Sequence, residues 1–186
     1  MIAAYVDQGT VYIAQSGGSS KFDSLSLNTM THEDNSLVWK ISGTANTLMA
    51  GCSNKMRDVD LLRYLKLFRG DLTISRLLGD ILPKIKKRLK EYGRIDKDGD
   101  MASNYLIAKD DVCVFIRYNG TIQWIDSLYA TEGLDYLQGW FELNSSLPPR
   151  DRLAKAVQAW MEEDGELPYP VMVTDTSTMK RVIYWE

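Results

Sequence analysis

The chain opens with Met1-Ile2-Ala3-Ala4-Tyr5-Val6-Asp7-Gln8-Gly9-Thr10-Val11-Tyr12-Ile13-Ala14, and this stretch decides the fold prediction. Two runs rich in apolar and β-forming residues, 2–6 and 10–14, are separated by a short turn. Gly9 in that turn tolerates the positive φ that tight hairpin turns require. The sequence therefore predicts a β-hairpin that starts at the first residue.

The overall composition is typical of one water-soluble domain. The chain has 186 residues, 45% of them hydrophobic and 25% charged, and we expect residues 1–186 to form a single domain. No apolar run approaches the ~18 residues that cross a bilayer, and the start of the chain lacks the pattern of a secretory leader. Cys52 and Cys113 stand in apolar surroundings, so we expect buried, reduced thiols and a cytoplasmic location.

The charge balance gives no general attraction to nucleic acid. Lys and Arg number 22 against 25 Asp and Glu, and the net charge is -3. The one basic stretch, 84–90, alternates with Ile85 and Leu89 at helical spacing. A solvated helix face is the favoured interpretation, and a docking surface for an acidic partner is the alternative.

The rest of the chain alternates strand-like and helix-like patterns. Strands are predicted at 37–41, 47–52, 102–108, 112–118, 121–125, 170–173 and 180–185; helices are predicted from about 54 to 68, 71 to 90 and 132 to 143, and after Ser146-Leu147-Pro148-Pro149. Ser146 fits the N-cap of that last helix, and Asn119-Gly120 is a strong hairpin signal. Strands, two helices, strands, two helices and strands predict an α+β four-layer αββα sandwich.

The second helix carries two specific expectations. Asp71 or Thr73 can cap its amino end, and Pro83 should kink or split it near Leu82, because proline lacks an N–H and clashes with the preceding turn. The expected buried stripe consists of Ile74, Leu77, Leu78, Ile81, Ile85 and Leu89.

This layout resembles the proteasome β-subunits and the HslV peptidase, members of the N-terminal-nucleophile hydrolase superfamily. The matching segments are Ile2-Ala3-Ala4-Tyr5-Val6 with Val11-Tyr12-Ile13-Ala14, Trp39-Lys40-Ile41, Leu48-Met49-Ala50-Gly51-Cys52-Ser53, residues 112–126, Tyr129-Ala130-Thr131-Glu132-Gly133 and Leu153-Ala154-Lys155-Ala156-Val157. The resemblance covers nearly the whole chain. It implies the proteasome-subunit sandwich and assembly into rings of six or seven subunits.

The resemblance also implies a nucleophile that this chain lacks. In the family, the hydroxyl of the first residue attacks, and the free α-amino group of the same residue acts as its base. Met1 offers only a thioether, and an initiator methionine is generally retained before a bulky residue such as Ile2. Its removal would expose an equally inert side chain.

Other positions of this chain also differ from the family's active-site pattern. The resemblance aligns Ser16 near the family's Asp and Leu37 near its Lys, whereas Lys40 is three residues away, on the opposite face of a strand. Thr131 and Glu132 stand in the turn where the family has Gly-Ser-Gly. These changes favour loss of the family's reaction, with no catalytic residue assigned.

Other chemistries find little support in the sequence. Asp96-Lys97-Asp98-Gly99-Asp100 lacks the sixth-position Gly and the closing Glu of a calcium loop, and His32 is the only histidine. We therefore expect no metal and no cofactor. Cys52, which lies beside the family's channel-lining position, is retained as an alternative thiol nucleophile.

Three hypotheses for the function remain open. The first is a proteasome-like protein without catalysis, which self-associates and binds or scaffolds a protein partner. The second is an active amide hydrolase with a non-standard site. The third is an unrelated two-layer α+β binding domain. None of them predicts contact with nucleic acid or a membrane.

Overall fold

The computed structural model describes residues 1–16, 38–40, 46–52, 58–62, 68–165 and 170–185, with the backbone alone for 38–40 and residue 60. The chain divides into two compact units. One unit joins the two ends of the chain, Met1–Ser36 and Ser127–Glu186, and is called the terminal unit below. The other, Leu37–Asp126, is called the central unit.

Each unit contains one five-stranded antiparallel sheet. The described strands are β1 (Ile2–Asp7), β2 (Thr10–Ser16), β3 (Val38–Lys40), β4 (Thr47–Cys52), β5 (Asn104–Lys109), β6 (Val112–Ile116), β7 (Ile122–Ile125), β8 (Leu128–Ala130), β9 (Val171–Asp175) and β10 (Arg181–Tyr184). The helices are α1 (Val59–Leu62), α2 (Ile74–Arg76), a π-helical turn (Leu77–Ile81), α3 (Leu82–Glu91), α4 (Leu134–Leu143) and α5 (Pro149–Glu163).

The opening hairpin forms as the sequence predicts. Strands β1 and β2 pair antiparallel, from Ile2 opposite Gln15 to Asp7 opposite Thr10. The turn residues Gln8 and Gly9 have φ of 44° and 79°. Positive φ at both central residues is the signature of the two-residue turn whose twist matches that of paired strands.

The terminal sheet has the order β10-β9-β2-β1-β8, so strands from both ends of the chain meet in it. Helices α4 and α5 pack on this sheet through a common apolar core. Its strand side includes the fully buried Ala3, Ala14 and Val173, and its helix side includes Leu153 and Val157. Small alanine side chains on β1 and β2 let α5 lie close to the strands.

Two sequence predictions fail in the terminal unit. Strand β8 was not predicted, because three residues give no readable alternation and it forms only by pairing with β1. Ser146 does not cap α5; Pro148 is the N-cap and makes no side-chain hydrogen bond. The proline part of that prediction is right, since the helix begins at Pro149.

The central sheet is a meander with the order β3-β4-β5-β6-β7. The predicted Asn119-Gly120 turn joins β6 to β7: Gly120 has φ of 89°, and its N–H donates to the Arg117 carbonyl at 2.8 Å. The predicted hairpin between 37–41 and 47–52 is also formed, with Val38 opposite Ala50. Local turn signals therefore account for most of this sheet.

The helices of the central unit confirm the Thr73 cap and correct the predicted buried stripe. Thr73 is the N-cap of α2 and accepts a hydrogen bond from the Arg76 N–H. The π-helical turn then leads into α3, which carries Pro83 in its first turn; the helical geometry changes directly before the proline, and the helical run continues from Ile74 to Glu91 without the predicted split. Ile74 and Leu78 are 49% and 54% exposed, so the predicted stripe is wrong at those two positions.

The rest of that stripe lies in the core of the central unit. Leu77, Ile81, Ile85 and Leu89 are fully buried, in one cluster with strand residues such as Tyr105. The middle of the predicted first helix, 63–67, lies outside the described residues. None of the described helices combines the length and apolar content that crossing a membrane requires.

Candidate functional site

The candidate site lies at the amino end of β1, within the terminal unit. The end of β2 and the segment that follows β8 flank this strand on its two sides. Backbone bonds extend both pairings to the edge of the site: Ser16 N–H donates to the Met1 carbonyl at 3.2 Å, and Thr131 N–H donates to the Ile2 carbonyl at 2.9 Å. Four residues that the sequence singled out thus converge here: Met1, Ser16, Thr131 and Glu132.

The α-amino group of Met1 has two partners. It donates to Ser16 Oγ at 2.9 Å and forms an ion pair with Glu132 Oε1 at 3.5 Å. Ser16 is 5% exposed, whereas the Glu132 side chain is 53% exposed. The amine therefore contacts one hydroxyl and one carboxylate.

The Thr131 hydroxyl is occupied by the backbone. Its Oγ1 accepts from Ile2 N–H at 3.1 Å and donates to the Ile2 carbonyl at 3.2 Å. These bonds join residues that are 129 positions apart in sequence. The hydroxyl therefore holds the start of β1 against the segment after β8.

Gly133 fixes the path of the chain directly after Glu132. It is the N-cap of α4, in the left-handed conformation with φ of 65°. A Cβ at this position would lie 1.9 Å from Trp160 Nε1 on α5. Only glycine therefore fits between the turn and the indole, and this contact sets where Thr131 and Glu132 stand.

Sequence reasoning missed the role of Trp160 at this turn. Trp160 lies in α5, and its ring is half-buried against the terminal core. The Gly-Ser-Gly comparison pointed to the turn, but no local signal links Gly133 to a tryptophan one helix further along the chain.

Neither cysteine has the lowered thiol pKa of an activated nucleophile. Cys52 is in the central unit, and burial raises the pKa of its thiol to about 12. Cys113 is also buried, and its pKa is raised to about 12 for the same reason. Both thiols are free and buried, as predicted, and a thiol that stays protonated at neutral pH is a poor nucleophile.

Two of the family positions cannot be placed. Leu37 and the side chain of Lys40 lie outside the described residues. Among the part of the chain that is described, no group of three or more His, Cys, Asp or Glu side chains is arranged to hold a metal ion. The Asp96 carboxylate instead accepts from the N–H groups of Asp98 and Asp100, both at 2.9 Å.

The chemistry of the site follows from these contacts. Met1 provides an amine and a thioether, and the thioether cannot attack a carbonyl. Among the described residues, the hydroxyl bonded to the amine is that of Ser16, which would be a nucleophile only if the amine were neutral and took its proton. Burial of Ser16 restricts access of a substrate to that oxygen.

No protein-family model matches this chain, and no curated protein matches it significantly. Solved structures do match it. "Thiobacillus denitrificans BPH in complex with Epoxomicin" superimposes with a TM-score of 0.67 at 15% identity, covering 95% of this chain and 98% of that one. Anbu (ancestral beta-subunit) from Yersinia bercovieri gives a TM-score of 0.64 at 10% identity, covering 100% and 87%.

Eukaryotic HslV from Trypanosoma brucei gives a TM-score of 0.53 at 12% identity, covering 92% of this chain and 97% of that chain. At these identities the likeness shows the fold alone. It excludes the unrelated two-layer domain and confirms the predicted fold class. The chain has the α+β fold of the proteasome-like N-terminal-nucleophile hydrolases.

Proposed function

We propose that this protein is a proteasome-like protein that does not catalyse the family's reaction and acts as a self-associating scaffold or partner-binding protein. The observation that carries the proposal is the methionine at the start of β1, whose α-amino group is engaged by Ser16 and Glu132. A thioether at this position supplies no nucleophile.

The contacts around the amine support the same proposal. A hydroxyl nucleophile needs a base with a free lone pair close to it. Here the amine donates to one neighbour and pairs with a carboxylate, and the Thr131 hydroxyl is bound to the backbone of Ile2. The groups that remain at the site hold the strands together, which is a structural role.

One observation favours an active enzyme as the second candidate. The Ser16 oxygen lies 2.9 Å from the α-amino nitrogen, which is the separation a serine and its base require. In this alternative, a neutral amine takes the Ser16 proton while the oxygen attacks an amide carbonyl. The 5% exposure of Ser16 is the argument against it.

Intact-mass spectrometry with an electrophilic peptide inhibitor distinguishes the two candidates. We expect an N-terminal Met1, no covalent adduct and no turnover of fluorogenic peptides. The matched variants are Ser16→Ala and, as a control at an exposed serine, Ser146→Ala. An adduct that forms on the wild-type protein and on the control, but not on Ser16→Ala, would overturn the proposal and establish the alternative.

The proposal includes self-association, with a ring as the arrangement that the fold resemblance suggests. Light scattering at several protein concentrations tests it, and a molar mass of at least two chains is expected. We further propose a cytoplasmic location, which the two free buried cysteines support. The proposed partners are proteins, since the net charge of -3 provides no general attraction to nucleic acid.

A further inference from the structure

The two units carry opposite net charge. The terminal unit has 6 Lys and Arg against 14 Asp and Glu, a net of -8. The central unit has 16 against 11, a net of +5. The small overall charge of -3 therefore conceals a strong separation of sign along one chain, which favours contact between unlike units of two copies.

The positive charge of the central unit is concentrated on one helix. Lys84, Lys87 and Lys90 are exposed and lie on the side of α3 opposite the buried Ile85 and Leu89. Lys84 pairs with Asp80 in the preceding turn at 2.5 Å. Lys87 and Lys90 form no ion pair with any residue that the structure describes. Three lysines at i, i+3 spacing repel one another, so an acidic partner would relieve a local cost.

The negative charge of the terminal unit has a matching concentration. Glu162, Glu163 and Asp164 are exposed at the carboxyl end of α5. The last turn of this helix contains no basic residue, and no ion pair between described residues includes any of these three carboxylates. A helix already has a partial negative charge at this end, so three carboxylates there are unfavourable without a cationic partner.

We propose that the exposed lysines of α3 dock on the acidic carboxyl end of α5 of a second copy of this chain. The two surfaces differ, so the contact is head to tail, and each copy keeps one free surface of each kind for the next copy. Such contacts close into a ring or extend into a filament. The inference rests on the proposed self-association and names the surfaces that carry it.

Light scattering and sedimentation of charge-reversal variants at low and high salt test the inference. The basic variant is Lys84→Glu, Lys87→Glu and Lys90→Glu; the acidic variant is Glu162→Lys, Glu163→Lys and Asp164→Lys; a third chain carries all six changes. The control carries Lys97→Glu, Lys155→Glu and Lys180→Glu. It changes the net charge by the same amount as the basic variant, but at exposed lysines outside α3. Circular dichroism verifies that each chain is folded.

We expect the wild-type protein and the control to self-associate at low salt, and less at high salt, because salt screens exposed charges. Each triple variant alone should dissociate about tenfold to a hundredfold more easily. The six-change chain, and an equimolar mixture of the two triple variants, should regain association, because opposite charges face each other again.

The outcomes separate this inference from the proposed function. If the wild-type protein associates and the basic variant behaves like the control, the docking surfaces are wrong while the scaffold proposal stands. Failure of the six-change chain to regain association, with its fold intact, also overturns the docking surfaces. If the wild-type protein is monomeric at every salt concentration, self-association itself is overturned.

Discussion

In the central unit every strand pairs with its neighbour in sequence, whereas in the terminal unit Val11 bonds to Thr176 and Ile2 bonds to Thr131. Three of the four pairings in the central sheet join strands that are close in sequence, and only β4–β5 spans the helical segment; the terminal sheet can close only when both ends of the chain meet. The candidate site lies in the second kind of sheet. Its geometry depends on contacts between distant segments, and the most informative perturbations are those that affect the two units unequally.

The largest difference is expected between two glycines with positive φ. Gly133→Ala in the terminal unit should lower the free energy of unfolding by about 3–5 kcal/mol, because the new Cβ overlaps Trp160 and the backbone is left-handed. Gly120→Ala in the central unit should cost about 1–2 kcal/mol, because its Cβ would meet only the ends of flexible side chains, Leu82 Cδ2 at 3.3 Å and Lys86 Cε and Nζ at 3.5 Å, and the strain is mainly that of φ.

Chemical denaturation measures both losses. Gly139→Ala is the control, since it lies within α4 with nothing within 4 Å of the new Cβ; a gain of about 0.5–1 kcal/mol is expected. Equal losses at Gly133 and Gly120 would contradict the role assigned to Trp160.

The next comparison removes one leucine from each core. Leu153 and Leu89 are fully buried in the terminal and central clusters, and each change to alanine should cost about 3 kcal/mol. If residues 1–186 form one cooperative domain, as the sequence predicts, both changes shift a single unfolding transition. Two transitions, each sensitive to only one of the two variants, would show instead that the units unfold separately.

A smaller effect, and one that depends on pH, is expected at two carboxylates. Burial of Asp175 opposes its charge, but bonds from the Thr178 N–H, the Ser177 and Thr178 hydroxyls and the Arg150 guanidinium outweigh this and hold its pKa below the ordinary value. A lowered pKa in the folded state means stability that is present above the unfolded pKa, near 4, and is lost as the pH falls further.

Asp175→Asn should therefore lower the free energy of unfolding by about 2 kcal/mol at neutral pH. In this variant the free energy of unfolding should also decrease less as the pH falls. Asp110 in the central unit is the comparison. Lys109 and Asn46 lower the pKa of its carboxyl, but the side chain is 50% exposed, so Asp110→Asn should cost at most about 0.5 kcal/mol. Thermal unfolding between pH 3 and 7 would show identical profiles for both variants if the burial of Asp175 were unimportant.

An effect smaller than that of Asp175→Asn tests the hydrogen bond across the site. Thr131→Val removes the hydroxyl that accepts from Ile2 N–H and should cost about 1 kcal/mol. Hydrogen exchange should show a faster amide at Ile2, with little change in the central unit. Thr121→Val, at an exposed threonine of the β6–β7 turn, is the control and should leave both quantities nearly unchanged.

Local signals were sufficient for much of the fold. Gln8-Gly9 and Asn119-Gly120 gave the two hairpin turns, Thr73 gave a helix cap, and Pro83 marked the place where the helical geometry changes before α3. Each depends on backbone conformations that a few neighbouring residues determine. The predictions that fail depend on structure beyond the local sequence. Strand β8 exists because β1 pairs with it, and Ile74 and Leu78 are exposed because the π-helical turn changes which residues face the core.

For the candidate site, the sequence likewise identified the residues but not their contacts. The sequence identified Met1, Ser16, Thr131 and Glu132 by comparison with a family pattern, and the folded chain brings all four together. It could not give their contacts, because the partner of an amine or a hydroxyl depends on distances between segments. Leu37 lies outside the described residues, so its place at the site stays a prediction.

The sequence by itself determined that a side chain without a nucleophilic oxygen or sulfur stands at the start of the first strand, since the identity of Met1 needs no coordinates. It also determined the opening hairpin, because turn chemistry and alternation act over a few residues. Only the tertiary structure decided that Glu132 pairs with the α-amino group and that Ser16 is buried beside it. Those facts arise from the closure of a sheet whose strands come from opposite ends of the chain, and no local pattern encodes such closure.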